Sequence, residues 1–83
     1  MSSLDDAQEL LKALLQDSSI SKSIHDVLEE IYESLNDKKD IEVKISSALQ
    51  KVEELSTDAN LTADVRTQIW SLSTLLENAL KEL

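Results

Sequence analysis

The sequence predicts an all-α protein, an antiparallel four-helix bundle made of two repeated helical hairpins. Three observations support this prediction. The chain has no Gly and no Pro, apolar residues recur at helical spacing, and the pattern repeats after 41 residues. Without Gly and Pro the chain has few residues suited to tight β-hairpin turns, which disfavours sheets. The 83 residues suffice for one domain with a modest core, so we predict a single domain over residues 1–83.

The repeat appears when the chain is shifted by 41 residues against itself. The matching apolar pairs are Leu4/Ile45, Ala7/Ala48, Leu11/Val52, Leu14/Leu55, Ile20/Leu61, Ile24/Val65, Leu28/Ile69, Ile31/Leu72 and Leu35/Leu76. Steps of three or four residues place such positions on one face of an α-helix. The interval from 14 to 20 breaks this spacing, as does 55 to 61, so each half is two helices and a loop. Two hairpins are too few for a solenoid but can close a four-helix bundle.

The helices follow in order from these breaks and from polar residues that begin helices. Ser21 and Thr62 are predicted N-caps of the second and fourth helices, and Asp40 of the third, because their oxygens can accept bonds from first-turn N–H groups. Asn36 and Asn60 stand where a left-handed residue would help to end a segment. The predicted helices span about residues 3–16, 22–35, 41–56 and 63–82.

Two aspartates stand at equivalent places in the loops. Asp17 and Asp58 each lie four residues before a predicted cap. Their carboxylates can hold loop N–H groups in Asx-turns, which is the structural interpretation. The functional alternative is an acidic ligand site.

The largest mismatch between the halves is Trp70, which falls on Glu29. A position that carries Glu in one half is not an obligatory core position, so Trp70 is expected beside the core. It either covers the edge of the bundle or contacts a partner, since Trp is enriched at interface hot spots. Arg66 lies one turn earlier, where it can stack on the ring and share the contact, or pair with an acid.

The chain lacks the residue patterns of catalytic and metal sites. There is no Cys to give a thiolate, no Gly to build a phosphate loop, and His25 is the one histidine. Glu29 stands four residues after His25, so a helix-surface ion pair is expected there. We therefore predict no enzyme, no catalytic residue, no metal ligand and no cofactor.

The net charge is −9 at pH 7. Such a charge repels phosphate backbones and anionic bilayers, so neither nucleic acid nor a membrane is an expected direct partner. The first residues have no basic segment followed by an apolar region, and no apolar run reaches the ~20 residues of a membrane span. A cytoplasmic location is the default expectation.

Two stretches carry a resemblance to a known family. "LLQDSSISKSIHDVLEEIYESL" and "DANLTADVRTQIWSLSTLLE" resemble the archaeal uncharacterised protein family 0147, which typically shows an Asp-Pro-Asn-x-Pro loop and Arg-Thr-x-Ile-Trp on its last helix. The residues that match this pattern are Asp58, Asn60, Arg66, Thr67, Ile69 and Trp70. Prolines of the family are replaced by Ser21, Ala59 and Thr62, and His25 stands where Arg is common.

The resemblance covers nearly the whole chain, from about Leu10 to Glu82. It implies an all-helical bundle of the mirror-variant kind also seen in bromodomain-like folds, and an archaeal cytoplasmic source. It implies no activity. The absent prolines remove a restraint on the loops, because Pro in a first helical turn fixes the backbone.

Four functional hypotheses remain. The leading one is a non-enzymatic protein-interaction module, with an unknown partner at Trp70. A structural homodimer would cover leucines beyond the repeated core, namely Leu10, Leu15, Leu49, Leu75 and Leu83. A small-ligand or metal-binding bundle would use Asp17, Asp58 or His25. An acidic surface that docks a basic partner would show strong salt dependence.

Overall fold

The structure is a computed structural model that describes residues 2–38 and 40–83. Its helices are α1 (Ser3–Leu15), α2 (Lys22–Leu35), α3 (Ile41–Leu55) and α4 (Ala63–Lys81). Each helix packs on the next one, and α1 also packs on α4, which closes the ring. The all-α antiparallel four-helix bundle is thereby confirmed. Helices α1, α3 and α4 end one residue before their predicted bounds.

The core is aliphatic and runs along the axis of the bundle. Both members of seven offset pairs are buried: Ala7/Ala48, Leu11/Val52, Leu14/Leu55, Ile24/Val65, Leu28/Ile69, Ile31/Leu72 and Leu35/Leu76. They meet in one cluster because each set recurs every three or four residues and so faces inward. Burial of one such Leu or Ile side chain contributes about 1.5–3 kcal/mol. Trp70 is not part of this cluster.

The leucines proposed as an exposed dimer patch mostly belong to the margin of the core. Leu10, Leu15, Leu49 and Leu75 are partly buried and pack against the core cluster. Leu83, at the end of the chain, is exposed. The exposed area of such a leucine patch is therefore limited, because four of its five members are partly buried against the core.

The helix N-termini are capped unequally. Thr62 Oγ1 accepts from the Val65 N–H at 3.3 Å, and Asp40 Oδ1 accepts from the Glu42 N–H at 3.0 Å. Ser21 occupies the N-cap position of α2, yet its side chain makes no capping bond. Its Oγ instead lies 3.4 Å from Ser23 Oγ. Ser21 is thus the N-cap residue as predicted, but its predicted capping hydrogen bond is absent.

None of the described residues has a left-handed backbone conformation. Every non-glycine residue that the structure describes has a negative φ, so the left-handed prediction for Asn36 and Asn60 is wrong. Asn36, at φ −100° and ψ 4°, closes α2 by donating from Nδ2 to the Tyr32 carbonyl at 2.8 Å. The Asn60 N–H donates to Asp58 Oδ1 at 2.8 Å. Side-chain hydrogen bonds therefore shape both segments.

A hydrogen-bonded pair joins the two ends of the described chain. The Ser3 N–H donates to Glu82 Oε1 at 3.1 Å, and Ser3 Oγ donates to Glu82 Oε2 at 2.5 Å. The Ser3 hydroxyl first, then the Ser3 N–H, hold the pKa of the Glu82 carboxyl below its usual value. A carboxylate at the N-terminus of α1 also complements the helix dipole. The contact fastens α1 to α4.

Across the described residues, we find no helix with the length and apolar character that crossing a bilayer requires.

Candidate functional site

The outer face of α4 carries an exposed tryptophan on an uncharged surface. Trp70 is 61% exposed. The surface depression around it is lined by Thr67, Ser71, Thr74 and Leu75. These residues share one side of α4 because they are three or four positions apart. We call Thr67, Trp70, Ser71, Thr74 and Leu75 the Trp70 face.

Arg66 lies one turn before Trp70 and holds the α3–α4 loop. Its Nη1 donates to the Ser56 carbonyl at 2.9 Å, and its Nη2 donates to the Asp58 carbonyl at 3.2 Å. Ser56 is the C-cap of α3, where helix carbonyls lack partners within the helix. Two backbone carbonyls thus engage the guanidinium, so the structure gives Arg66 a role in the loop rather than beside Trp70.

His25 makes the corresponding contact in the first half of the chain. Its Nε2 lies 3.1 Å from the carbonyl oxygen of Leu15, the last residue of α1. His25 and Leu15 are the residues 41 positions before Arg66 and Ser56. In both halves the same pair of positions therefore ties the first turn of one helix to the end of the preceding helix, through imidazole in one half and guanidinium in the other.

The two loop aspartates both bind a main-chain N–H two residues later. Asp17 Oδ1 accepts from the Ser19 N–H at 2.9 Å and from Ser19 Oγ at 2.6 Å. Asp58 Oδ1 accepts from the Asn60 N–H at 2.8 Å. The Ser19 hydroxyl first, and then its N–H, lower the pKa of Asp17. Both carboxylates act in local turns, which accounts for their positions without a ligand.

The two loops meet at one end of the bundle around a small cleft. Its volume is about 90 Å³. It is lined by four offset pairs, Ser19/Asn60, Ile20/Leu61, Ser21/Thr62 and Ile24/Val65. Apolar side chains and short polar side chains alternate around it. The repeated loop segments, residues 19–24 and 60–65, thus line one cleft together.

A second group of side chains lies on the first turns of α2. His25, Asp26 and Glu29 each offer a donor atom, and these atoms all lie within 4.8 Å of one another. His25 Nδ1 is 3.8 Å from Glu29 Oε2, an ion pair when the imidazole is protonated. His25 is 35% exposed and Glu29 is 53% exposed in their side chains. The positions 41 residues later are Arg66, Thr67 and Trp70.

The structure separates the predicted site residues by role. The loop end of the bundle holds Asp17, Ser21, Asp58, Thr62 and Arg66, whereas Asp40 caps α3 at the opposite end. Trp70 alone among them stands on an exposed helix face. Sequence reasoning missed the bond from His25 to Leu15. The offset alignment pairs His25 with Arg66, but it does not predict the bond, because the contacts of Arg66 with the loop carbonyls were not predicted either.

Comparison with known proteins identifies the family of the chain. Residues 1–79 match the model of the "Uncharacterised protein family (UPF0147)". The chain belongs to this family. A UPF0147 protein from Archaeoglobus fulgidus is 32% identical over 89% of this chain and 85% of its own length. One from Methanosarcina acetivorans is 33% identical over 93% of this chain and 87% of its own length. The predicted resemblance is confirmed.

The UPF0147 fold also agrees with a solved structure. The crystal structure of a protein of unknown function, MMP1188, matches with a TM-score of 0.84. The match covers 90% of this chain and 86% of that one, at 24% sequence identity. It supports the fold alone. For this UPF0147 member, function is therefore argued from the residues at its surface.

Proposed function

We propose that the chain is a small non-enzymatic interaction module of the cytoplasm, which docks a protein partner through the Trp70 face. The observation that carries this proposal is a tryptophan, 61% exposed, on a face lined by uncharged residues. Tryptophan is a frequent hot spot because its large ring loses much water-exposed apolar area when a partner covers it. The partner would present an apolar surface.

The fold gives little reason for a tryptophan at this position. Glu29 takes the equivalent place on α2 and is itself exposed. The core cluster of apolar residues does not include Trp70. Because the bundle does not bury the ring, an external contact is the role that we propose for it.

The proposal includes no catalytic step. Among the described residues, no polar or charged side chain is buried. Catalytic groups usually depend on desolvation in a cleft to tune their pKa values. The charged residues of this bundle instead lie on its solvated faces.

Self-association is the second candidate function. The chain carries a net charge of −9, so most of its surface disfavours contact with a second copy. The Trp70 face is lined by uncharged residues and would allow two copies to meet without opposing their acids. A homodimer through this face replaces the leucine patch that the sequence suggested.

The test compares Trp70→Ala with Val43→Ala in partner capture from native host extract. Val43 is 54% exposed on α3, so its truncation also removes exposed apolar area, but elsewhere. We expect Trp70→Ala to lose a partner that the unchanged chain and Val43→Ala both retain. Circular dichroism confirms that each variant folds.

Sedimentation equilibrium distinguishes the two candidates. A dimer mass that returns to the monomer mass in Trp70→Ala supports self-association through the Trp70 face. A monomer mass in the unchanged chain, together with partner loss in Trp70→Ala, supports the interaction module. Identical partners and identical mass in both variants would contradict any docking role for Trp70.

A further inference from the structure

We propose that His25, Asp26 and Glu29 form a binding site for a divalent transition-metal ion of the Zn²⁺ class. The three residues lie on one helix, and their donor atoms all fall within 4.8 Å of one another. His25 and Glu29 stand four residues apart, so both project from the same side of α2. An imidazole nitrogen and carboxylate oxygens are ligands that Zn²⁺ takes in proteins.

A bond from another helix prepares the histidine to act as a ligand. His25 Nε2 lies 3.1 Å from the Leu15 carbonyl oxygen of α1. A carbonyl oxygen can only accept, so Nε2 must carry the hydrogen and donate it. In the neutral ring Nδ1 then holds the free lone pair. Metal-binding histidines are commonly oriented in this way, with the second ring nitrogen donating to a backbone carbonyl.

That lone pair faces a carboxylate. His25 Nδ1 and Glu29 Oε2 are 3.8 Å apart. Both atoms are acceptors when the ring is neutral, so a cation held between them makes the contact attractive, as a proton on Nδ1 also does. Ligand distances of about 2.0–2.2 Å give a tetrahedral N–O separation of about 3.4 Å. Rotation of the exposed Glu29 side chain can supply the difference, and Asp26 offers a third donor.

The donor set selects the class of ion. Imidazole with carboxylates suits Zn²⁺, Ni²⁺ and Cu²⁺, whereas Mg²⁺ and Ca²⁺ favour oxygen ligands throughout. The net charge of −9 raises the cation concentration around the chain. The equivalent positions of the second half carry Arg66, Thr67 and Trp70, which provide no such set. We therefore expect one ion per chain.

Isothermal titration of the untagged full chain with ZnCl₂ tests the site. We expect one equivalent of Zn²⁺ to bind, and MgCl₂ at the same concentration to give no comparable binding. Glu29→Gln should weaken Zn²⁺ binding by about tenfold or more. This variant keeps the bond from His25 to Leu15 and therefore the loop contact.

Glu33→Gln is the matched control, because Glu33 is an exposed carboxylate on the next turn of α2. It removes the same charge and should bind Zn²⁺ as the unchanged chain does. Equal weakening in Glu29→Gln and Glu33→Gln would overturn the proposal, since it would show diffuse attraction to an acidic surface. Equal binding of Zn²⁺ and Mg²⁺, or no Zn²⁺ binding, would overturn it as well.

Discussion

The two halves of the bundle agree where helices meet loops and differ one helical turn farther along. His25 reaches the carbonyl of Leu15, and Arg66 reaches the carbonyls of Ser56 and Asp58. One turn later the first half has Glu29 and the second has Trp70. The contacts of His25 and Arg66 with backbone carbonyls stabilise the fold in both halves. The position of Glu29 and Trp70 is exposed and is not required for packing, so its residue can differ between the halves.

The physical reason lies in which groups need partners. Carbonyls at the end of a helix have no partner within it, so a donor from the next helix is useful in either half. An exposed outer face imposes no comparable demand. One half can therefore present a carboxylate beside an imidazole, while the other presents a tryptophan beside threonine and serine.

The largest expected effect tests whether the two halves form one cooperative core. Leu28→Ala and Ile69→Ala truncate equivalent, fully buried side chains. Each should lower the free energy of unfolding by about 3 kcal/mol, because a cavity adds to the lost burial. Urea unfolding followed by circular dichroism measures both. A large loss in one variant and none in the other would show that the halves do not share a core.

The loop contacts should matter less, and unequally. Arg66→Ala removes two charge-assisted hydrogen bonds, whereas His25→Ala removes one bond to a carbonyl. We expect Arg66→Ala to lower the free energy of unfolding by about 1.5 kcal/mol and His25→Ala to lower it by less than about 1 kcal/mol. Both values allow for the partial exposure of these hydrogen bonds. Urea unfolding of the two variants, side by side, gives the ranking. The reverse order would contradict the assignment of Arg66 to the loop.

The N-caps of α2 and α4 should differ in how much they contribute to stability, by a smaller amount than the loop contacts do. Thr62 accepts from the Val65 N–H, while Ser21 makes no capping bond. Thr62→Ala should cost about 1 kcal/mol, and Ser21→Ala only a few tenths. Thermal melting of both variants checks this. Equal losses would mean that the Ser21 hydroxyl does cap α2 in solution.

The smallest effect concerns pH at the Ser3 and Glu82 contact. Because the folded pKa of Glu82 lies below its ordinary value of 4.5, the contact is fully present above that value. Its contribution is lost as pH falls from there through the folded pKa. Melting temperatures of Glu82→Gln should therefore fall less steeply below pH 4.5 than those of the unchanged chain.

Glu77→Gln, which replaces an exposed carboxylate within α4, controls for the loss of one negative charge. It should follow the pH dependence of the unchanged chain. If Glu77→Gln and Glu82→Gln flatten the profile equally, the contact with Ser3 does not persist in solution.

Much of the fold follows from local pattern, because helical spacing decides which residues face inward. Spacing predicts the offset core pairs, from Ala7/Ala48 to Leu35/Leu76, and the comparison of the two halves places Trp70 outside the core. Ser21 and Asn36 do flank α2, but the predicted capping bond of Ser21 and the left-handed conformation of Asn36 are wrong, because several local hydrogen bonds compete at a helix end and spacing does not rank them.

Contacts between distant parts of the chain do not follow from local pattern. Ser3 and Glu82 are 79 positions apart, and only packing of α1 on α4 brings them together. The trio of His25, Asp26 and Glu29 is an intermediate case. The spacing of His25 and Glu29 predicts their ion pair, but the bond to Leu15 that orients the imidazole depends on how the first loop folds.

The central claim is that position 70 lies outside what the fold requires. Trp70→Glu tests it most directly, since it gives α4 the residue that α2 already carries at Glu29. Urea unfolding followed by circular dichroism should show a loss of about 1 kcal/mol or less, as for an exposed position. If the free energy of unfolding instead falls by about 3 kcal/mol, the value expected for a core truncation, Trp70 contributes to core packing and the central claim is contradicted.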